Sequence, residues 1–142
     1  MGKLLGIPDW LAILLLIGFG LTLFLSYGYW SIRQAHQRVA AARPNLSKQE
    51  FLAAMETDCS LEVSSFLWEK TLSYVHPRLT PHPDDDLILD LKIDDDDIAM
   101  DWPREWAELR DFHESHIPDW PDAWPATIKN FGRWLDMAPH RR

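Results

Sequence analysis

Residues 84–101 read DDDLILDLKIDDDDIAMD: nine aspartates in eighteen positions, opposed only by Lys92. Within them Leu87, Leu89, Leu91 and Ile93 alternate with other residues, which taken alone is the period of a strand. A lone strand has no ladder to satisfy its backbone, and no second stretch of similar quality exists in the chain. Pro81 and Pro83 stand just upstream. The segment is therefore expected to be an extended loop that inserts apolar side chains between helices, and the fold class is all-α.

The elements on either side agree. Ser60 is expected to cap a helix, with Glu62 in its first turn where the dipole favours an anion. Leu61, Trp68, Leu72 and Val75 form its apolar stripe, widened by Val63, Phe66, Leu67 and Tyr74, until His76-Pro77 ends it. Downstream, the aspartates Asp94 to Asp97 suit a helix amino terminus. Trp102, Trp106, Leu109 and His113 follow at helical spacing, and Pro103 demands a kink or a fresh start. After the proline-rich IPDWPDAWP, the run TIKNFGRWL reads as a last helix with Ile128, Phe131, Trp134 and Leu135 on its apolar side. Upstream, Ser47-Lys48-Gln49-Glu50 has capping-box spacing and opens a short helix ending near Thr57 or Asp58.

The amino-terminal section is of another kind. From Trp10 to Trp30 the chain runs WLAILLLIGFGLTLFLSYGYW without a charge. As a helix it would span roughly 30 Å, the hydrocarbon thickness of a bilayer. Trp10 at one end and Tyr27, Tyr29 and Trp30 at the other suit the two interfaces. A cleavable signal would have a shorter apolar run, more preceding charge and a small-residue site close behind, so the segment is read as an uncleaved anchor. Lys3 precedes it, and Arg33, Arg38 and Arg43 follow, which places the carboxyl-terminal side in the cytoplasm and the anchor in the cell inner membrane. Gly18, Thr22 and Ser26 recur every fourth residue as a small stripe that would let two such helices approach as a homodimer. The reading is a transmembrane anchor over 1–30, a helical stalk and short linker helix over 31–59, a helical bundle over 60–137 and a tail over 138–142.

Net charge is −8, yet residues 1–46 are net basic, so the acidity is concentrated in the bundle. That excludes nucleic acid as a partner, because phosphate binding needs excess Lys and Arg. An EF-hand is excluded as well. Counted from Asp84, the turn glycine is replaced by Leu89 and the closing glutamate by Asp95. A weak divalent site, a solvated acidic face and a protein docking face are the remaining readings of the cluster. His113 and His116, with Asp111 and Glu114, lack further ligands at metal spacing. Trp102, Trp106 and Trp134 read as core rather than as a ligand-stacking set. Cys59 reads as a structural thiol. No phosphate loop, triad or zinc pattern is present, and the chain is expected to be neither an enzyme nor a cofactor protein.

A wide-faced helix, a long proline-containing loop, D-L-x-I-D-x-x-D at a helix start and a closing T-I-x-x-F-x-x-W-L resemble, in this order, the acyl carrier protein family. The resemblance covers roughly 60–137 and is closest to a bacterial branch of unknown function whose members often lack the prosthetic-group serine. In carriers the motif is Asp-Leu-Gly, an apolar residue, then Asp-Ser-Leu, and the serine accepts phosphopantetheine. Here Asp90-Leu91 match, Lys92 replaces the glycine, Ile93 and Asp94 match, Asp95 takes the serine position and Asp96 the leucine position. The resemblance thus implies a carrier-like fold without carrier chemistry. It also implies a docking face, here Asp94, Asp95, Asp96, Asp97 and Asp101, for a protein with a basic surface. The alternative is a membrane-tethered acyl- or lipid-handling protein that holds its ligand noncovalently between the helices.

Overall fold

The computed structural model describes residues 6–139. Lys3, one of the charges used for orientation, and the tail residues Arg141 and Arg142 lie outside them. Among the described residues there are five α-helices and no strand. The helices are α1 (Asp9–Ala42), α2 (Lys48–Met55), α3 (Leu61–Val75), α4 (Trp102–Leu109) and α5 (Ile128–Asp136). The chain divides between Gln34 and Ala35 into two compact units.

The first unit holds most of α1. Its large apolar side chains, among them Ile13, Leu14, Leu16, Phe19 and Phe24, are exposed, and the helix is long and apolar enough to cross a membrane. On the small stripe, Thr22 turns its hydroxyl back onto the Gly18 carbonyl at 2.8 Å, a helix-internal bond.

The second unit begins inside the last turns of α1, where Ala35 and His36 are buried. Pro44 lies just beyond the end of α1, and Ser47 restarts the chain as α2. The capping box forms as its spacing predicts: the Glu50 amide donates to Ser47 Oγ at 3.3 Å and the Ser47 amide to Glu50 Oε2 at 2.7 Å. The bond from the Ser47 amide, helped by the Ser47 hydroxyl, holds the Glu50 carboxyl below the usual carboxylate range. Phe51 and Met55 carry α2 into the core.

Helix α3 is the central element, with Val63, Leu67, Thr71 and Val75 buried along it. Two expectations fail at its start. Leu61 is exposed, because the buried face runs through Val63 and Leu67 instead. Ser60 occupies the N-cap but makes no side-chain bond to its own helix. Its amide and hydroxyl both donate to Asp136, each at 2.8 Å. The bond joins the first turn of α3 to the last turn of α5. It also explains an acid at a helix carboxyl end, where the dipole disfavours it: Asp136 faces the positive end of α3.

Residues 76–94 form the extended loop. Leu79, Leu87, Leu91 and Ile93 are buried, but Leu89 is exposed and breaks the alternation. The loop turns at that point, with Asp86 Oδ1 accepting from the Ile88 and Leu89 amides. Its backbone is satisfied by a short pairing with the approach to α5: Leu87 N–H donates to Ala126 and Ile128 N–H to Asp85.

The second helical stretch starts at Asp95, passes through a π-helical turn at Asp97–Asp101 and continues as α4. Pro103 lies in the first turn of α4, so the expected discontinuity is met by widening the turn before it rather than by a kink. Trp102 and Trp106 are buried, whereas Leu109 and His113 are exposed. Helix α4 ends just past Leu109 in a reversal: Asp111 adopts φ 56° while its amide bonds to Glu108 and that of Phe112 to Ala107. Thr127 caps α5 by accepting from the Asn130 amide, and Ile128, Phe131 and Leu135 close the core.

Candidate functional site

The nine aspartates of 84–101 do different jobs. Asp85 is buried and accepts Arg43 Nε at 2.6 Å on one oxygen and Nη2 at 2.5 Å on the other. Burial pushes its carboxyl upward, against the pull of the Arg43 guanidinium and the His82 amide. Asp84 pairs with Lys129 at 2.5 Å, and that hydrogen bond holds its carboxyl below the usual range. Asp86 and Asp90 bond to backbone amides within the turn. Asp94 accepts from the Asp96 amide at 3.0 Å and so tops the helix.

Of the five docking candidates, then, Asp94 is capping. Asp97 accepts the Tyr74 hydroxyl at 2.8 Å, and burial with that bond raises the phenol's pKa. Asp101 pairs with Arg104 on the surface. Asp95 and Asp96 project from the first turn, exposed, and among the described residues their side chains make no hydrogen bond or ion pair. The cluster is thus held in place by its outer members and presents its middle ones. Among the described residues, no group of His, Cys, Asp or Glu is arranged to hold a metal ion. His113 instead bonds through Nδ1 to Ser115.

Beside Asp95 opens a groove of about 570 Å³. It is lined by Ile98 and Pro103 from the second helical stretch, Ile88 from the loop, Phe131 and Trp134 from α5, and Trp120 from the Trp-Pro segment. Ile117, Pro118, Asp119 and Trp120 of the lining come from the Trp-Pro segment, which sequence reasoning could not place. Trp134 donates its indole N–H to the Pro118 carbonyl at 2.7 Å, and Trp120 donates to Trp124 at 3.2 Å. Trp120 stands edge-on to Trp134, ring centres 5.3 Å apart. The polar groups on the rim are Asp95, Arg104, Glu114 and Asp119. Volume and lining are those of a small-molecule pocket.

Cys59 is buried, and desolvation, with Asp136 and Asp58 nearby, pushes its thiol up to about 12. A thiol so disfavoured as thiolate is no nucleophile, in keeping with a structural role.

Lys92 is exposed at the end of the loop, two residues before Asp94. It adopts φ 57°, the left-handed region where glycine is at ease. No protein-family model, curated protein or solved structure matches the chain.

Proposed function

We propose that the chain is a single-pass inner-membrane protein whose domain lies in the cytoplasm and docks a basic protein surface through its acidic helix start. The observation that carries this reading is the pair Asp95 and Asp96, exposed at a helix start and anchored on both sides by Asp94 and Asp97. The carrier-like reading is supported by the order of elements and by the left-handed backbone at Lys92, where carriers place glycine. Asp95 offers no hydroxyl to phosphopantetheine, so the domain would be an interaction module and not a carrier.

The test uses the full chain with a photoreactive residue at the exposed Lys92, compared with a variant in which Asp94, Asp95, Asp96 and Asp97 are changed to Asn. Docking on this face gives adducts that weaken as salt shortens the Debye length to about 3 Å at 1 M. Adducts that survive neutralisation remove the docking role. Topology is tested separately: a carboxyl-terminal reporter active only outside the cytoplasm would reverse the orientation.

A second reading is favoured by the groove. Its aromatic and aliphatic walls suit an apolar chain held noncovalently by a membrane-tethered lipid- or acyl-handling protein. Native mass spectrometry of the full chain released from nanodiscs should then carry lipid mass that is lost on Trp120→Asp; release of bare protein would leave the docking reading alone.

A further inference from the structure

We propose that His36 is a proton-sensitive latch between the last turns of α1 and the loop that carries Ile88 and Asp95 to the groove. The groove reading supplies only the latch's consequence; the latch itself stands on bonds that need no ligand.

His36 is almost fully buried, with 1 % of its surface exposed, and both ring nitrogens are engaged. Nε2 lies 2.8 Å from the Leu91 carbonyl. A carbonyl only accepts, so Nε2 carries the proton. Arg78 Nε–H points at Nδ1 from 3.1 Å, and a guanidinium only donates, so Nδ1 is the bare acceptor. The two partners together select the neutral Nε2–H tautomer. A second proton can enter only at Nδ1, where it would lose the Arg78 bond and set one cation against another inside the domain.

The charged groups around the ring reinforce this. Arg78 comes from the turn after α3. Asp85, from the loop, would favour the imidazolium, but Arg43 already occupies both its oxygens. Arg33 and Arg38, on the same helix as His36, are exposed. Burial is the largest influence on the ring and lowers its pKa; the Leu91 bond opposes this and Arg78 adds to it.

The sign follows from linkage. The latched ring takes up a proton only below the ordinary histidine range, and the released ring takes it up at about 6.5. The latch is at full strength above that value and weakens as pH falls, by up to about tenfold per pH unit. Protonation at Nδ1 leaves the Nε2–H bond to Leu91 in place, so that carbonyl, three residues beyond Ile88 and four before Asp95, is freed only when the charged ring leaves its buried site. Acid would therefore loosen the side of the groove that Ile88 and Asp95 line.

The experiment follows hydrogen exchange of residues 88–95 in the full chain in phosphatidylcholine nanodiscs, at about pH 7.5 and about pH 5, corrected for intrinsic exchange. The wild type should lose protection on acidification, by up to about tenfold per pH unit below about 6.5. His36→Gln keeps a donor and an acceptor but cannot titrate, and it should show no acid step. An acid-indifferent wild type, or an equal acid step in His36→Gln, would overturn the latch. Should the Gln variant not fold, the wild-type imidazole nitrogens decide. The Nε2–H tautomer converting to imidazolium in step with exchange supports the latch, and a ring already charged at neutral pH, or one titrating without any change in exchange, overturns it.

Discussion

Replacing Arg43 by alanine removes one half of a buried ion pair. The Asp85 side chain keeps 4 % of its surface and Arg43 12 %, so neither partner has much water to fall back on. Breaking such a pair from one side costs about 3–5 kcal/mol, because the remaining charge is buried without its partner. The lower end applies here, since the His82 amide still donates to Asp85 at 3.1 Å. A loss of about 3 kcal/mol is a large part of the 5–15 kcal/mol typical of a domain. It should move the urea midpoint down by about 1–2 M. Urea unfolding of the full chain in nanodiscs, followed by tryptophan fluorescence, measures it. The deficit must also depend on pH. Without Arg43, burial acts on Asp85 against the pull of His82 alone and raises its folded pKa further above the unfolded value. The penalty is then full at neutral pH and falls away as the pH approaches the ordinary carboxylate range. Freeing the Asp85 oxygens also favours the His36 imidazolium, which acts in the same direction, so the deficit still falls on acidification. Adding Asp85→Asn to Arg43→Met should recover at least half of the loss, because Asn can still accept from His82. A deficit below about 1 kcal/mol, or one that grows on acidification, would refute the buried-pair argument.

A Cβ on Gly132 would lie 2.8 Å from Cys59 Sγ and 3.0 Å from Met55 Cε. Gly132→Ala should therefore destabilise by about 1 kcal/mol net, overpacking outweighing the gain in helix propensity; thermal melting checks it, and an unchanged or raised melting temperature contradicts it. Lys92→Gly should stabilise by about 0.5–1 kcal/mol by relieving left-handed backbone strain, read from the urea midpoint. Cys59 should resist iodoacetamide in the native chain at about pH 8 and react once urea unfolds it; rapid native alkylation would place the thiol at the surface. Co-expressed with a broad-specificity phosphopantetheinyl transferase, the wild-type chain should keep its unmodified mass. Asp95→Ser alone should restore little modification, since Asp96 and Lys92 still depart from the motif; added phosphopantetheine on the wild type refutes the reading of Asp95.

The all-α class, the long apolar helix, the capping box at Ser47 and Glu50 and the core positions Trp102, Trp106 and Trp134 were legible in sequence because each is a local signal. Periodicity, cap chemistry and unbroken apolarity act over a few residues. What failed was set by distant partners. Ser60 has an ideal cap side chain, but the Asp136 carboxylate competes for it from the far end of the domain. Leu61, Leu89 and Leu109 fit apolar patterns, yet each lies where a helix begins, a loop turns or a helix ends, and the buried face passes them by. The aspartates read as one block because their roles depend on Arg43, Tyr74, Arg104 and Lys129, which are remote or unremarkable in sequence. The groove was invisible, since it exists only once Trp120 meets Trp134 edge-on, a contact that no local pattern encodes.

The bond from Ser60 to Asp136 bears on how the protein is made. Residues from the two ends of the bundle must meet before the core can close, and Ile128, Phe131 and Leu135 arrive only with the last helix. The apolar run of α1 ends at Trp30 and leaves the ribosome long before that helix is synthesised. During that interval the exposed apolar faces of α2 and α3 have no partner, the condition in which nascent chains aggregate or recruit chaperones. Folding of this domain is thus completed only after the amino-terminal helix has emerged.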